Sequence, residues 1–326
     1  MRFVTFETRH GMERLGLLTS KGHIADLEGG FVKKLSSEIP REKACALAAT
    51  LTPPEILAFL DGGDVCMEAA RQTLSFVEGE ISAGKMPLGT SGEKIIFEPA
   101  EVSVKAPLTR PRKIICAGKN FVDHLKEMSS RGGAMPTHPV AFAKAPSVVI
   151  GPEGIVPYPE ETAMLDYEVE MAIVIGKRCW EVSREKAYDY IFGFTVFNDI
   201  SARDLGIAEN VQGIFLLCKN LPGFAPMGPH LVTRDEIEDP QSLHLECRVN
   251  GQIRQDSNLS MMMFKIDEMI AYWSQIGLEP GDVLTTGTPS GVAAGRKEGE
   301  SPWWLNKGDI VEAEIEKLGI LRTYIK

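Results

Sequence analysis

The sequence lacks several signatures, and each absence narrows what the chain can be. Its six cysteines, Cys45, Cys66, Cys116, Cys179, Cys218 and Cys247, fall in no CxxC or CxH pattern. That scatter suggests neither a disulfide framework nor a zinc site, and leaves reduced, buried, small apolar residues. No stretch approaches the ~18 uninterrupted apolar residues of a spanning helix. The opening MRFVTFETRHGMERLG has no apolar core of a signal peptide. A soluble, cytoplasmic protein with no membrane partner is the expectation. Basic charge is short as well: 35 Lys and Arg stand against 45 Asp and Glu, a net −10, with no basic cluster to offset it. That balance argues against nucleic acid as a partner. Internal repeats and low-complexity tracts are missing too. What remains, 326 residues at 44% hydrophobic, suits one large domain or a large domain with a small companion.

The first ~105 residues read differently from the rest. RFVTFET and ERLGLLTSKGHIADLEG alternate as short strands around a turn, and PPEILAFLDGGDVCMEAARQTLSFVEGEI has helical spacing. Residues 1–105 are therefore expected to form a small α+β domain, linked by VKAPLTRPRK to a second domain over 106–326. In that second part β-type runs dominate, among them VAFAKAPSVVIG, YEVEMAIVIGK, IFGFTVFND and DIVEAEIEKLGILRTYI. VNGQ between alternating runs is a hairpin signal. One helix interrupts them, in FKIDEMIAYWSQIG, where Ile266, Met269, Ile270, Trp273 and Ile276 share a stripe. The pattern predicts a mixed, β-rich α+β fold whose strand core closes on itself.

Chemistry concentrates in five stretches. In LDYEVEMAIVIG, Glu168 and Glu170 are two apart on a strand and so share a face, with Asp166 beside them. FGFTVFND ends at Asp199, where an apolar strand meets a polar segment. Three such carboxylates supply hard oxygen ligands for Mg²⁺, Mn²⁺ or Ca²⁺; the competing reading is a solvated strand face. In KNFVDHLKEM, Asn120 is expected to cap a helix, and His124 and Glu127 lie three apart on it. That pair is either a general base with its orienting carboxylate or a surface ion pair. Lys219 follows an apolar run and precedes a Pro-Gly turn, a setting for a partly desolvated ammonium or an ordinary solvated lysine. EPGDVLTTGTPSGV ends a strand in a turn able to hold a carboxylate, or in a plain Gly-rich turn.

Taken together, GKNFVDHLKEM, DYEVEMAIVIGK, FNDISARDLG, Lys219, FAPMGPHLVT and LEPGDVLTTGTPSGV closely resemble the fumarylacetoacetate hydrolase family, in its two-domain bacterial form, over about residues 110–326. The resemblance implies a β-sandwich roll enclosing Mg²⁺ or a similar metal, and a homodimer. It implies that Glu168, Glu170 and Asp199 bind the metal and that His124 with Glu127 activates water. Lys219 stands at the family's active-site lysine, Arg203 at an arginine near the substrate, and Thr288 at a threonine that holds the substrate carboxylate. Three stretches depart from the pattern: Phe121 where a tyrosine is common, Asn220-Leu221-Pro222 after the lysine, and Gly206 where a glutamine is frequent.

The family's chemistry centres on a metal-stabilised enolate of a 2-oxo acid. C–C hydrolysis of an acylpyruvate is the leading expectation. The alternatives are an oxaloacetate-type decarboxylase, an isomerase or hydratase of dienedioates from aromatic catabolism, and, more remotely, a catalytically silent carboxylate binder. MSSRGGAMPTHP has the composition of a mobile lid.

Overall fold

Two β-rich runs, Val169–Ile175 and Ile191–Asn198, pair antiparallel at the centre of the computed structural model, with Val169 opposite Asn198 and Ala172 opposite Thr195. Every residue of Val169–Ile175 is buried, as a strand covered on both faces demands. The structure describes residues 1–9, 11–128, 135–211, 213–296 and 303–326. The central pair belongs to a large sheet that runs from Ile96–Phe97 through Ile24–Asp26, Glu13–Leu18, Arg2–Glu7 and Ala225–Thr233. Beyond the pair it continues through Val283–Thr285 and Ile114–Gly118 to Val140–Lys144. Among the described residues its ends do not pair, so the strand core is open rather than closed on itself. One edge is a two-residue strand and the other alternates in exposure, the usual form of an unpaired margin.

A second sheet of five strands, Gln252–Asn258, His244–Val249, Ile310–Ile315, Gly319–Ile325 and Gly154–Val156, covers one face of the first. Met171 and Ile173 meet its Leu245, Cys247, Val311 and Ala313 there. Ala172 and Val174, on the opposite face, pack with Ile56, Phe59, Leu60 and Ala70 of the helices Ile56–Asp61 and Gly63–Ser82. This is the expected β-rich α+β fold: a sandwich on one side and a helical layer on the other. Each large side chain so buried contributes about 1.5–3 kcal/mol.

Local signals translate directly in places. Asn250 and Gly251 both take positive φ in the hairpin that joins His244–Val249 to Gln252–Asn258, as a primed turn requires. The helix Ile266–Trp273 buries Ile266, Met269, Ile270 and Trp273. Ile276 leaves the stripe, 64% exposed, because a 3₁₀ turn over Ser274–Ile276 and a left-handed Gly277 rotate it outward. Asn120 does not cap the helix Val122–Glu127; Phe121 holds the N-cap position. The Asn120 amide instead donates to Thr286 O (2.8 Å) and Phe264 O (3.1 Å) and accepts from Phe264 N (2.8 Å), tying three segments together beneath the helix. Five cysteines are buried and unpaired, and Cys45 is exposed. Half of the expected lid, residues 129–134, lies outside the described residues. Among the described residues no helix is long and apolar enough to cross a membrane.

Candidate metal and proton-transfer site

Backbone pairing creates the acidic cluster. Glu168 directly precedes the strand Val169–Ile175; its N–H donates to Asn198 Oδ1 (2.9 Å), and its carbonyl accepts from Asp199 N (2.9 Å). The end of one central strand is thus clipped to the end of the other. Glu168, Glu170 and Asp199 each bring a carboxylate oxygen within 4.8 Å of the others. They are only 4%, 1% and 1% exposed, so the solvated strand face is excluded.

The charges around the cluster are unevenly shared. Lys219 Nζ bridges Glu168 Oε2 (2.7 Å) and Asp199 Oδ2 (2.6 Å), and Lys144 Nζ takes Asp199 Oδ1 (2.5 Å) and Ile200 O (3.1 Å). Arg203 joins Glu168 to Asp166, its Nε 2.8 Å from Asp166 Oδ2. Burial opposes ionisation of Glu168, but Arg203, Lys219 and His124 outweigh it and hold the carboxyl well below the usual range. Burial likewise opposes the Lys219 charge, yet Asp199 and Glu168 prevail and raise it. Glu170 has no basic partner among the described residues. It accepts from Thr285 Oγ1 and from Gly287 N (3.0 Å). Burial, then Asp199 and Glu168, push its carboxyl well above the usual range.

Four buried carboxylates, Asp166, Glu168, Glu170 and Asp199, therefore face three cations, Lys144, Lys219 and Arg203, and the uncompensated one is Glu170. A clustered set of three hard oxygen donors, one of them with no ion-pair partner among the described residues, fits a divalent cation such as Mg²⁺, Mn²⁺ or Ca²⁺.

The helix Val122–Glu127 brings the second group. His124 Nδ1 and Glu127 Oε1 are 2.7 Å apart, with both side chains mostly buried, not a surface ion pair. A loop from Ser290 to Gly295 closes over them: Ser290 Oγ donates to Asp123 Oδ2 (2.7 Å) and Gly291 N to Glu127 Oε2 (2.9 Å). The expected substrate groups engage protein partners. Thr288 Oγ1 donates to Val169 O (3.0 Å) and accepts from Gln255 Nε2 (2.8 Å), and Arg203 is bound as described. A substrate role for either requires that these partners be exchanged on binding.

The departures also have places. Phe121 is fully buried. Asn220 ties the Lys219 turn to the edge strand, accepting from Ala145 N (2.5 Å) and donating to Leu216 O (2.8 Å). Lys144, Asp166 and Thr285 complete the cluster; sequence reasoning placed Asp166 beside the two glutamates without giving it a role, and missed Lys144 and Thr285. For Lys144 a signal existed: in VAFAK it continues the alternation of Val140 and Phe142, a charged residue where an apolar one belongs.

The family model described as fumarylacetoacetate (FAA) hydrolase C-terminal matches residues 113–326. The chain belongs to the fumarylacetoacetate hydrolase family. It is similar to oxaloacetate tautomerase YisK of Bacillus subtilis, 37% identical over the full length of both proteins. It is also similar to the human mitochondrial oxaloacetate tautomerase FAHD2A, 38% identical over 98% of this chain and 90% of that protein. Among solved structures, a fumarylacetoacetate hydrolase from Exiguobacterium antarcticum superposes with a TM-score of 0.73 at 29% identity, covering 100% of this chain and 99% of the other.

Proposed function

We propose that this protein is a divalent-metal-dependent tautomerase that interconverts the enol and keto forms of oxaloacetate or a similarly compact 2-oxo dicarboxylate. The observation that carries the reading is the full-length similarity to an oxaloacetate tautomerase, in a chain that retains the acidic triad and the His124–Glu127 pair. Among the sequence-based expectations, this favours the oxaloacetate and isomerase alternatives over acylpyruvate hydrolysis.

The reaction asks little of the protein beyond moving one proton and stabilising one charge. A divalent cation held by Glu168, Glu170 and Asp199 would supply positive charge to an oxygen that becomes negative in the enolate. His124 takes the proton from the carbon beside the keto group, and its conjugate acid returns a proton to the oxygen, which completes the enol without loss of any other bond. Glu127 orients the imidazole through Nδ1 and stabilises its charged form. Lys219 provides a further positive charge beside the developing oxyanion once substrate draws it from its carboxylates. Arg203 keeps Glu168 ionised and aimed. Hydrolysis would demand, in addition, a water held for attack on a distal carbonyl.

The test is an NMR comparison of purified protein, metal-stripped and then resupplied with Mg²⁺ or Mn²⁺, on oxaloacetate, acetylpyruvate and fumarylpyruvate. Accelerated enol–keto exchange of oxaloacetate with both acylpyruvates intact is the expected result. Cleavage of an acylpyruvate to pyruvate and a free acid, without accelerated exchange, would replace this reading with the hydrolase.

A further inference from the structure

One loop touches both halves of the site. Between Ser290 and Gly295, Ala293 N and Ala294 N donate to Asp166 Oδ1 (2.8 Å) and Oδ2 (3.1 Å). Asp166 in turn holds Arg203, which holds Glu168. From its other side the same loop engages the proton-transfer helix through Ser290–Asp123 and Gly291–Glu127. Tyr167 OH anchors the start of the loop by donating to Gly291 O (3.1 Å). The loop therefore spans from the acidic cluster to the His124–Glu127 pair through consecutive hydrogen bonds.

Gly295 completes the arrangement by what it omits. A Cβ built on it would fall 2.2 Å from Glu127 Oε2 and 2.4 Å from Glu127 Cδ. Its φ is not in the left-handed region, so no backbone requirement calls for glycine there. The glycine leaves room for a carboxylate.

We propose that Ser290–Gly295 is a latch that sets the position of the Glu127 carboxylate, and through it His124, relative to the metal-binding cluster, with Gly295 and Ser290 as positioning residues. The proposal rests on the reading of His124 and Glu127 as the proton-transfer pair. The clash that alanine creates is with the far end of a flexible side chain, so Glu127 swings aside at small cost to the fold. The cost falls on the chemistry, where a displacement of about 1 Å can lower turnover about 100-fold.

The test is a double-mutant cycle between Gly295→Ala and Glu127→Asp, with Ser290→Ala as a second probe. Turnover of oxaloacetate enol, Mn²⁺ affinity by calorimetry and thermal melting are measured for each. The expected result is a fall in kcat of about 10–100-fold for Gly295→Ala, with Mn²⁺ affinity and melting temperature unchanged. In the Glu127→Asp background, where the shorter side chain withdraws from the added methyl, Gly295→Ala has a much smaller effect. Ser290→Ala lowers kcat several-fold. An equal loss in both backgrounds, or wild-type turnover in Gly295→Ala while Glu127→Ala is inactive, would overturn the latch and leave the proposed function intact. Full turnover in Glu127→Ala would overturn both.

Discussion

Replacing Glu170 with glutamine should move the stability of the metal-free protein and the affinity for metal in opposite directions. Glu170 is 1% exposed, lies within 4.8 Å of the carboxylates of Glu168 and Asp199, and has no basic partner among the described residues. Ionising Glu170 beside either neighbour, at an effective dielectric of about 20, would cost roughly 3.5 kcal/mol, and together with burial this holds its metal-free carboxyl well above the usual range. Lys144, Lys219 and Arg203 offset much of this by compensating the two neighbours, and glutamine keeps an oxygen for Thr285 and Gly287. A net gain of about 1–3 kcal/mol for the metal-free protein follows. Thermal melts in chelator should therefore show Glu170→Gln at or above the wild type. Calorimetric titration with Mn²⁺ should show affinity weakened by at least about 100-fold, since loss of a direct ligand exceeds the effect of losing an outer partner. The stabilisation that saturating metal gives the wild type, about 2.7 kcal/mol at 100 times Kd, should vanish. A variant that melts lower in chelator, or that binds Mn²⁺ as the wild type does, would refute this electrostatic reasoning.

Three further outcomes follow from particular contacts. His124→Ala should lower turnover by about 10²–10⁴-fold with Mn²⁺ affinity within a few-fold of wild type, as steady-state kinetics and calorimetry would establish; a large loss of affinity would make His124 a ligand instead. Lys144→Met leaves Asp199 short of one of its two cations, so metal-free stability should fall by about 3–5 kcal/mol, and melts should show added Mn²⁺ restoring more in the variant than it adds to the wild type. Burial, with Arg2 nearby, lowers the His230 imidazole to about 4, so the unfolded chain binds the proton first as pH falls. Stability should accordingly be complete above about pH 6.5 and decline by about 2–3 kcal/mol toward pH 4, and His230→Phe should flatten that part of the denaturation profile.

The strands and the Glu168–Glu170 pair were legible because both depend on short-range patterns, whereas Asp199, marked only as the polar end of an apolar run, joins them through pairing of the two central strands. Alternation places Glu168 and Glu170 on one face whatever the sheet around them, and Asn250-Gly251 dictates its own turn. Of the cations at the cluster, Lys219 and Arg203 were named from the sequence and Lys144 was not. Lys144 and Lys219 are 75 positions apart in sequence and converge on Asp199 only through the order of strands in the sheet. Asn120 misled for a related reason: it has the chemistry of a helix cap, but tertiary partners at Phe264 and Thr286 claim its amide. Ile276 fits the helical period up to the point where Gly277 ends the helix. Only the start of the Ser290–Gly295 loop, up to Val292, was visible as the end of a Gly-rich turn, whereas its grip on Glu127 and Asp166 exists only in the folded chain.

The measurement that bears most directly on the central claim is the ultraviolet time course of oxaloacetate enol converting to keto, followed with protein stripped of metal, with Mg²⁺ or Mn²⁺ restored, and with chelator added afterwards. Conversion well above the spontaneous rate is expected only when metal is present, abolished by chelator, with oxaloacetate fully recovered and no pyruvate formed. Conversion indifferent to metal, or stoichiometric pyruvate and bicarbonate in place of keto-oxaloacetate, would contradict that claim.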